Sequence, residues 1–505
     1  MFLLLYSCSQ PQANHRKDID MEAFSALKTP SYSLSPAQIR ECISELIRND
    51  RDSTTADHRT RRYYREGGRL VWIDRLGTDS RADTLLTALR SVEEIGFSEQ
   101  SFWVAEIEDD LSKLRSLDFQ DNSLLQIAAR LEYRLTKAYL RYVIGQYFGF
   151  VNPNYIFNRL DALKKDSTGR TLSYRLLFDL KVPRPDSAFV SQALEKASCA
   201  DSLSFFLQAV LPTDSLYLRL RTELSKTNFS TARKRLLCNM ERRRWRETLR
   251  PEDCRKYVVV NIPAYQLWAY SEDTVINMRI GCGTQKTKTP ILTSYISHMN
   301  VNPDWRIPMS IIKSDIARHA GDPSYFAKRR YYITNRKTGE RISPTMISST
   351  QLTSGAYSVA QEGGPGNSLG RIIFRFPNNF DVFLHDTSTR GFFDRDDRSV
   401  SHGCVRVQKP FDLAAFLLGK DVEEWTLDKI RISMDLPPAS DRGRDYVKDE
   451  TASRRLVSWL GVTPRVPIFL TYYTLFPEPD GTLRSYPDVY GYDSVIMHRI
   501  KPFLP

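Results

Sequence analysis

Apolar residues recur at helical spacing through the first half of the chain. Ser35 and Pro36 match the N-cap and first-turn positions of a helix, so the spacing predicts a helix that begins there. The same periodicity continues through 84–96, 101–114 and 122–149, and through most of 187–245. The pattern predicts a mostly helical domain over residues 35–250, whose leucine, tyrosine and phenylalanine stripes are packing faces.

From Tyr257 the pattern changes to that of β-strands. Residues 257–270 are β-branched and aromatic and contain Pro263-Ala264, which predicts two strands joined by a turn. Further strands are predicted within 274–284, 370–387 and 467–476, with turns at 377–379 and 480–481. The predicted fold class is therefore α+β, with a mainly-β domain over residues 255–500 after the helical one.

Residues 306–368 interrupt the predicted β-domain with a segment of lower strand character. The segment contains many Gly, Ser, Lys and Arg residues. An insertion of this length between strands is typical of a lid or a binding loop, and a surface excursion without a role is the alternative.

The composition indicates a globular protein with a basic surface. The chain has 505 residues, which favours two or three domains, and a formal net charge of +12. This charge favours an anionic partner, such as nucleic acid, a membrane surface or a cell-wall polymer, without choosing among them, and a plain solvated surface is the alternative. The seven cysteines are scattered without a Cys-x-x-Cys pair, which argues against a metal cluster or a disulfide framework.

The N-terminus has a short apolar run, residues 1–7, that ends at Cys8. This segment resembles the lipobox of bacterial lipoproteins, in which the cysteine carries the lipid. The run is short and no basic residue precedes it, so a chance apolar N-terminus is the alternative. Residues 9–34 are polar and predict a tether. No stretch of about twenty apolar residues follows, so we expect an anchored rather than a membrane-spanning protein.

The strongest candidate for chemistry is a cysteine near two histidines. His385 follows a predicted strand at 380–384, and Ser401-His402-Gly403-Cys404 comes after it. A nucleophilic cysteine needs a base, donors for the oxyanion and a turn that exposes it. Either histidine is a candidate base, and the amides of Gly403 and Cys404 are candidate oxyanion donors. On these residues alone a structural cysteine is the more common outcome, and a zinc site would lack a fourth ligand.

This segment resembles the signature of the L,D-transpeptidase (YkuD-type) catalytic domain, in which a histidine precedes Ser-His-Gly-Cys-x-Arg. Other stretches occur in the order of that family, at 259–264, 288–290, 302–308, 365–371 and 376–378. The helical region resembles the large-scaffold, YcbB-like branch through Trp72, 131–143 and 239–245. Two features depart from that branch. There is no room for a small peptidoglycan-binding module before residue 239, and His402 stands where some members have serine, which favours His385 as the base.

The resemblance implies an enzyme that forms 3-3 crosslinks between peptidoglycan stem peptides. Cys404 would attack the third residue of a tetrapeptide stem and hold it as a thioester, with His385 as general base. A backbone carbonyl would orient His385, because the carboxylate of its strand neighbour Asp386 should face away. Arg406 would either bind a substrate carboxylate or brace the turn. Gly403, His402 and Ser401 would support the oxyanion and the nucleophile, and Trp305, Tyr331 and Tyr332 of the insertion would contact substrate.

The implied partners are a donor tetrapeptide and an acceptor stem on the periplasmic side of the cell envelope, with membrane attachment through a lipid on Cys8. No cofactor, metal ion or nucleic acid is expected, carbapenems would acylate Cys404, and the oligomeric state is open. Two alternatives remain. The thioester would be hydrolysed in an L,D-carboxypeptidase or endopeptidase, and a non-catalytic scaffold would only bind peptidoglycan.

Overall fold

A computed structural model describes residues 35–74, 77–120 and 122–505. The lipobox-like segment and the tether predicted for residues 1–34 lie outside this part of the chain. The described residues form two compact units. The first comprises the described chain up to Asn152 together with Val182–Arg246 and Asp493–Pro505, and the second comprises Pro153–Lys181 and Glu247–Tyr492.

This division differs from the predicted domain boundaries at two places. Residues 153–181 were expected in the helical domain, but Phe178–Asp179 forms a strand that pairs in parallel with the strand Ile291–Val301 of the second unit. Residues 493–500 were expected in the β-domain, but Asp493 forms an ion pair of 2.7 Å with Arg242 of the first unit. Both exchanges depend on pairings between residues far apart in sequence, which local periodicity does not record.

The first unit is helical, as the periodicity predicts. Its helices are Pro36–Asn49, Thr55–Arg65, Ser80–Arg90, Val104–Ser116, Leu124–Phe148, Ser187–Lys196, Ala200–Ala209, Ser215–Lys226 and Ser230–Arg244. A further helix, Tyr492–Ile500, follows near the C-terminus. The longest, Leu124–Phe148, begins with a capping box between Ser123 and Gln126 and is buried along most of its length.

A buried carboxylate lies inside this helical unit. Glu132, on the longest helix, accepts hydrogen bonds from the amide groups of Val71, Trp72 and Ile73 at 2.6–3.0 Å, and from the hydroxyl of Tyr64 at 2.6 Å. Burial raises the pKa of Glu132 in spite of these donors. The carboxylate thus supplies hydrogen-bond acceptors for the backbone amides of residues 71–73.

The second unit contains the strands, numbered here in chain order. They are β1 (Ala162–Lys165), β2 (Thr171–Tyr174), β3 (Phe178–Asp179), β4 (Tyr257–Asn261), β5 (Gln266–Tyr270), β6 (Val275–Gly283), β7 (Ile291–Val301), β8 (Trp305–Arg306), β9 (Tyr331–Asn335), β10 (Arg341–Ile342), β11 (Tyr357–Gln361), β12 (Ile372–Arg375), β13 (Leu384–His385), β14 (Ser399–Ser401), β15 (Val405–Val407), β16 (Trp459–Thr471), β17 (Leu475–Pro477) and β18 (Leu483–Ser485). Its helices are Pro153–Phe157, Met309–Ile311, Pro323–Lys328, Ser349–Thr353, Pro410–Leu418, Glu424–Ser433 and Asp441–Tyr446.

The main sheet closes on itself. Its strands follow the order β12-β13-β15-β6-β5-β4-β16-β7, and β12 also pairs with β7. Strands β4 and β5 are buried on both faces, which explains why residues 257–270 form nearly continuous apolar runs instead of alternating. The predicted strand pair at 257–270 is confirmed. The single strand expected at 467–476 is divided between the end of β16 and the start of β17, and the strand expected at 380–384 shortens to Leu384–His385.

The insertion at 306–368 is a folded subdomain rather than a plain loop. Strands β10-β9-β11-β8 form a separate four-stranded sheet. This sheet covers a core that includes Ile312, Phe326 and Leu352. Tyr325 and Phe326 are also buried in that core. The low strand character of this segment was therefore misleading.

Across residues 35–74, 77–120 and 122–505, no helix has the length and apolarity needed to cross a lipid bilayer. The six cysteines within these ranges are free thiols: Cys42, Cys199, Cys238, Cys254, Cys282 and Cys404.

Candidate active site

Cys404 lies in a tight turn between β14 and β15. The hydroxyl of Ser401 donates to the carbonyl oxygen of Cys404 at 2.5 Å and accepts a hydrogen bond from the amide of Gly403 at 3.1 Å. Gly403 has a φ of +121°, a conformation that favours glycine. Ser401 therefore closes the turn and holds the backbone of Cys404 in place.

A second layer of hydrogen bonds supports this turn from the 288–290 stretch. The hydroxyl of Thr289 donates to the carbonyl oxygen of Gly403 at 2.8 Å and accepts from the amide of Gly283 at 2.9 Å. The hydroxyl of Tyr490 in turn donates to the carbonyl oxygen of Gly283 at 2.6 Å and accepts from the amide of Thr289 at 3.1 Å. Sequence reasoning noticed the 288–290 stretch but assigned it no role, and it did not find Tyr490.

His385 is placed by the strand next to the turn. Strands β13 and β15 are parallel, with His385 in register with Arg406. Residues in register share a face of the sheet, so His385 and Arg406 lie on the same face. Side chains two positions apart on a strand also share a face, which adds Phe383 and Cys404 to it. The thiol and the imidazole thus project on the same side.

The orientation of His385 comes from its neighbour's backbone. Nδ1 of the ring lies 2.5 Å from the carbonyl oxygen of Asp386. The carboxylate of Asp386 instead accepts from the amide of Arg371 at 2.9 Å and from the guanidinium of Arg390 at 3.2 Å. This agrees with the alternation expected along a strand, in which Asp386 faces away from the ring.

Burial keeps both members of the pair uncharged in the free protein. It raises the pKa of the Cys404 thiol to about 11, although the Phe383 amide, Arg375 and Arg406 act to lower it. Burial and the positive charge of Arg406 lower the pKa of His385 to about 4, against the raising effect of the Asp386 and Leu369 carbonyls. Desolvation thus opposes a preformed thiolate–imidazolium pair. The arrangement suits a neutral imidazole that takes the thiol proton as the sulfur attacks.

Two arginines lie beside the thiol. The guanidinium of Arg375 is 4.1 Å from the ring centroid of Phe383, and that of Arg406 is 5.5 Å from the ring of Phe392. Neither forms an ion pair with any residue that the structure describes, and the buried Nε of Arg406 has no hydrogen-bond partner there. Arg406 therefore does not brace the turn through its carbonyls in this conformation. A cation within an apolar strand was the signal for Arg375, and sequence reasoning missed it.

The other predicted site residues occupy different surroundings. The Gly403 amide is engaged by Ser401, which leaves the Cys404 amide as the remaining oxyanion candidate of the two. His402 is exposed at the turn. In the insertion, Trp305 and Tyr331 pack against its core. Tyr332 donates from its hydroxyl to Asp304 at 2.7 Å.

No group of three or more His, Cys, Asp or Glu side chains is arranged to hold a metal ion within the described ranges. The Cys404 region holds a thiol just before β15 and an imidazole at the end of β13.

Comparison with known proteins agrees with this geometry. Residues 255–432 match the family model of the L,D-transpeptidase catalytic domain (YkuD), and residues 58–224 match that of the Scaffold domain. A protein of Haemophilus influenzae described as "Putative L,D-transpeptidase" is 31% identical over 242 residues. That match covers 47% of this chain and 45% of the relative, so the chain spans less than half of the relative's length.

A solved L,D-transpeptidase from Mycobacterium smegmatis is 14% identical, with coverage of 43% of this chain and 58% of that one. Its TM-score of 0.17 is too low to support an argument. The two family models cover the helical region and the site itself. The chain therefore combines a YkuD L,D-transpeptidase catalytic domain with a Scaffold domain.

Proposed function

We propose that this protein is an L,D-transpeptidase that forms 3-3 crosslinks in peptidoglycan through a thioester on Cys404. The observation that carries the proposal is the braced turn of Cys404 beside His385 on a parallel strand, within the region that matches the catalytic domain. The relative from Haemophilus influenzae bears a name of the same activity.

The chemistry consists of two acyl transfers. The sulfur of Cys404 attacks the carbonyl carbon of the third stem residue, and His385 accepts the thiol proton. The bond from that carbon to the nitrogen of the fourth residue breaks, and the amine leaves with the proton from His385. An amine of a second stem then attacks the thioester, forming a new amide as the carbon–sulfur bond breaks. The proton of that amine returns to sulfur through His385, so no cofactor and no ATP is consumed.

The site also suggests how the oxyanion and the substrate are held. The amide of Cys404 is our candidate donor to the oxyanion, since the Gly403 amide is engaged with Ser401. Arg406 has no anionic partner among the described residues, which favours its role as a fork for a substrate carboxylate over that of a brace. We assign the exposed His402 a supporting role only.

The test is mass spectrometry of the protein incubated with a disaccharide tetrapeptide. We expect an acyl adduct on Cys404 and a crosslinked dimer, both lost in Cys404→Ala. Cys199→Ala is the matched control, because Cys199 is the exposed cysteine and local hydrogen bonds lower its pKa. An adduct that follows Cys199, or a dimer that persists in Cys404→Ala, would overturn the proposal.

The same experiment separates the alternatives. Release of tripeptide without a dimer would indicate hydrolysis, as in an L,D-carboxypeptidase. Retention of muropeptide without any adduct would indicate a binding scaffold. From a substrate of this kind we propose that the protein acts at the periplasmic side of the cell envelope, and we expect a carbapenem to acylate the same sulfur. Labelling with a carbapenem before and after Cys404→Ala, on cell fractions, tests both expectations.

A further inference from the structure

We propose, on the basis of the function above, that Arg375 and Arg406 form an anion subsite beside the thiol that binds a carboxylate of the donor stem peptide. Arg375 is the last residue of β12 and does not belong to the sequence motif around Cys404. Its register explains its position. Ile373 pairs with His385, and Arg375, two residues later, projects on the same face of the sheet.

The contacts of Arg375 direct its charge toward the reacting groups. The guanidinium stacks over Phe383, two residues before His385, and its field lowers the pKa of both Cys404 and His385. Arg406 acts on the same two groups from β15. The two cations therefore lie close to the position where an acyl donor must bind.

Arg375 forms no ion pair with any of the residues that the structure describes. The field of Asp381 reaches the guanidinium, but no ion pair forms between them. On the neighbouring strand, His298 stands in register with Arg375, and burial together with this arginine lowers the pKa of His298, which keeps that ring neutral. A half-buried guanidinium without an ion-pair partner is costly, and a bound carboxylate would offset that cost through charge-assisted hydrogen bonds.

The donor stem brings carboxylates of two origins close to the attacked carbonyl. One is the terminal carboxylate of the fourth residue, which leaves. The other is the side-chain carboxylate of a third residue that carries one, and it stays on the enzyme. Both are planar groups that match the guanidinium fork. The shared chemistry defines the subsite, and substrates in which one carboxylate is converted to an amide distinguish the two origins.

The experiment measures kcat/KM for acylation of Cys404 by three donors: the parent tetrapeptide, its C-terminal amide and its third-residue side-chain amide. We expect the wild type to lose about tenfold to a hundredfold on one of the amides, the size of one charged hydrogen-bond partner. Arg375→Gln should lower kcat/KM on the parent donor to a similar extent and abolish the discrimination between parent and amide. Arg375→Lys should restore part of it.

Arg395→Gln is the matched control, since Arg395 is an exposed arginine of the same unit. It should keep the full preference for the carboxylate. Equal losses on all three donors in Arg375→Gln, with the preference intact, would show a structural role and overturn the inference. Absence of discrimination in the wild type would overturn it as well. Absence of any acyl adduct in the wild type would instead overturn the proposed function, from which the subsite follows.

Discussion

Protonation of His385 should couple the site to the stability of the second unit. Burial and Arg406 hold the pKa of this ring at about 4, whereas its ordinary value is 6.5. As the pH falls below 6.5, the unfolded chain binds a proton at this residue before the folded protein does. The free energy of unfolding therefore decreases as the pH falls from 6.5 to about 4. His385→Asn removes the titration and leaves a side-chain amide that can donate to the Asp386 carbonyl.

The difference between the unfolded and folded pKa of His385 corresponds to a loss of about 3 kcal/mol in the free energy of unfolding. This loss should occur in the wild type and be absent from His385→Asn, whatever the mutation costs at neutral pH. For a domain of this size, about 3 kcal/mol corresponds to about 6–12 °C in Tm. Other carboxyl groups also titrate in this window, but they are common to both proteins and cancel in the difference.

The assay is differential scanning calorimetry of both proteins at pH 7.5, 5.5 and 4, following the transition that His385→Asn shifts. We expect the Tm of the wild type to fall relative to the variant as the pH decreases. His402→Asn, at the exposed histidine of the same turn, is the control and should follow the wild type. A difference between wild type and His385→Asn that stays constant from pH 7.5 to 4 would refute the reasoning.

Three further predictions concern thiols, backbone and scaffold. After treatment with iodoacetamide at pH 7.5, peptide mapping should find Cys199 alkylated before Cys404. Hydrogen bonds lower the pKa of the Cys199 thiol, whereas burial raises the pKa of the Cys404 thiol to about 11. The alkylation rate at Cys404 should therefore rise about tenfold per pH unit. Gly370→Ala should destabilise the second unit by about 2 kcal/mol or more in calorimetry, because its φ is +67° and the new Cβ would lie 2.5 Å from Asp386. Gly366→Ala is the control: its φ is +78° but the space around it is open, so the loss of stability should be smaller. Glu132→Gln should lower the Tm of the first unit by the equivalent of about 2 kcal/mol, because the new amide nitrogen would face backbone N–H donors. Glu93 is exposed, so Glu93→Gln should have little effect.

The parts of the fold that were predictable are those with a local signal. The helical periodicity of residues 122–149 and the aromatic, β-branched run at 257–270 correspond to observed elements, because each records burial of its own side chains. Strand β13 was placed correctly only around His385. Asn378 explains why: its side chain bonds the backbone of Phe376, Phe380 and Val382, which holds residues 376–383 as a loop instead of a strand.

The candidate site divides in the same way. Cys404 and His385 could be named because their motif is contiguous or nearly so. Thr289 and Tyr490 could not be assigned, since the hydrogen bonds from Thr289 to Gly403 and between Tyr490 and Thr289 join residues that are distant in sequence and common in type. The uncharged state of the pair was also missed, because desolvation depends on the packing of strands that are themselves brought together from afar.

Strand β16 has a consequence for how the protein is made. It lies between β4 and β7, parallel to one and antiparallel to the other, although it comes after both Cys404 and His385 in the chain. A ribosome that has completed His385 and Cys404 has therefore not yet supplied the strand that joins β4 to β7, nor Tyr490. A nascent or prematurely terminated chain would hold the complete motif without the closed sheet. Reactive sulfur chemistry at Cys404 would thus begin only after β16 has been synthesised.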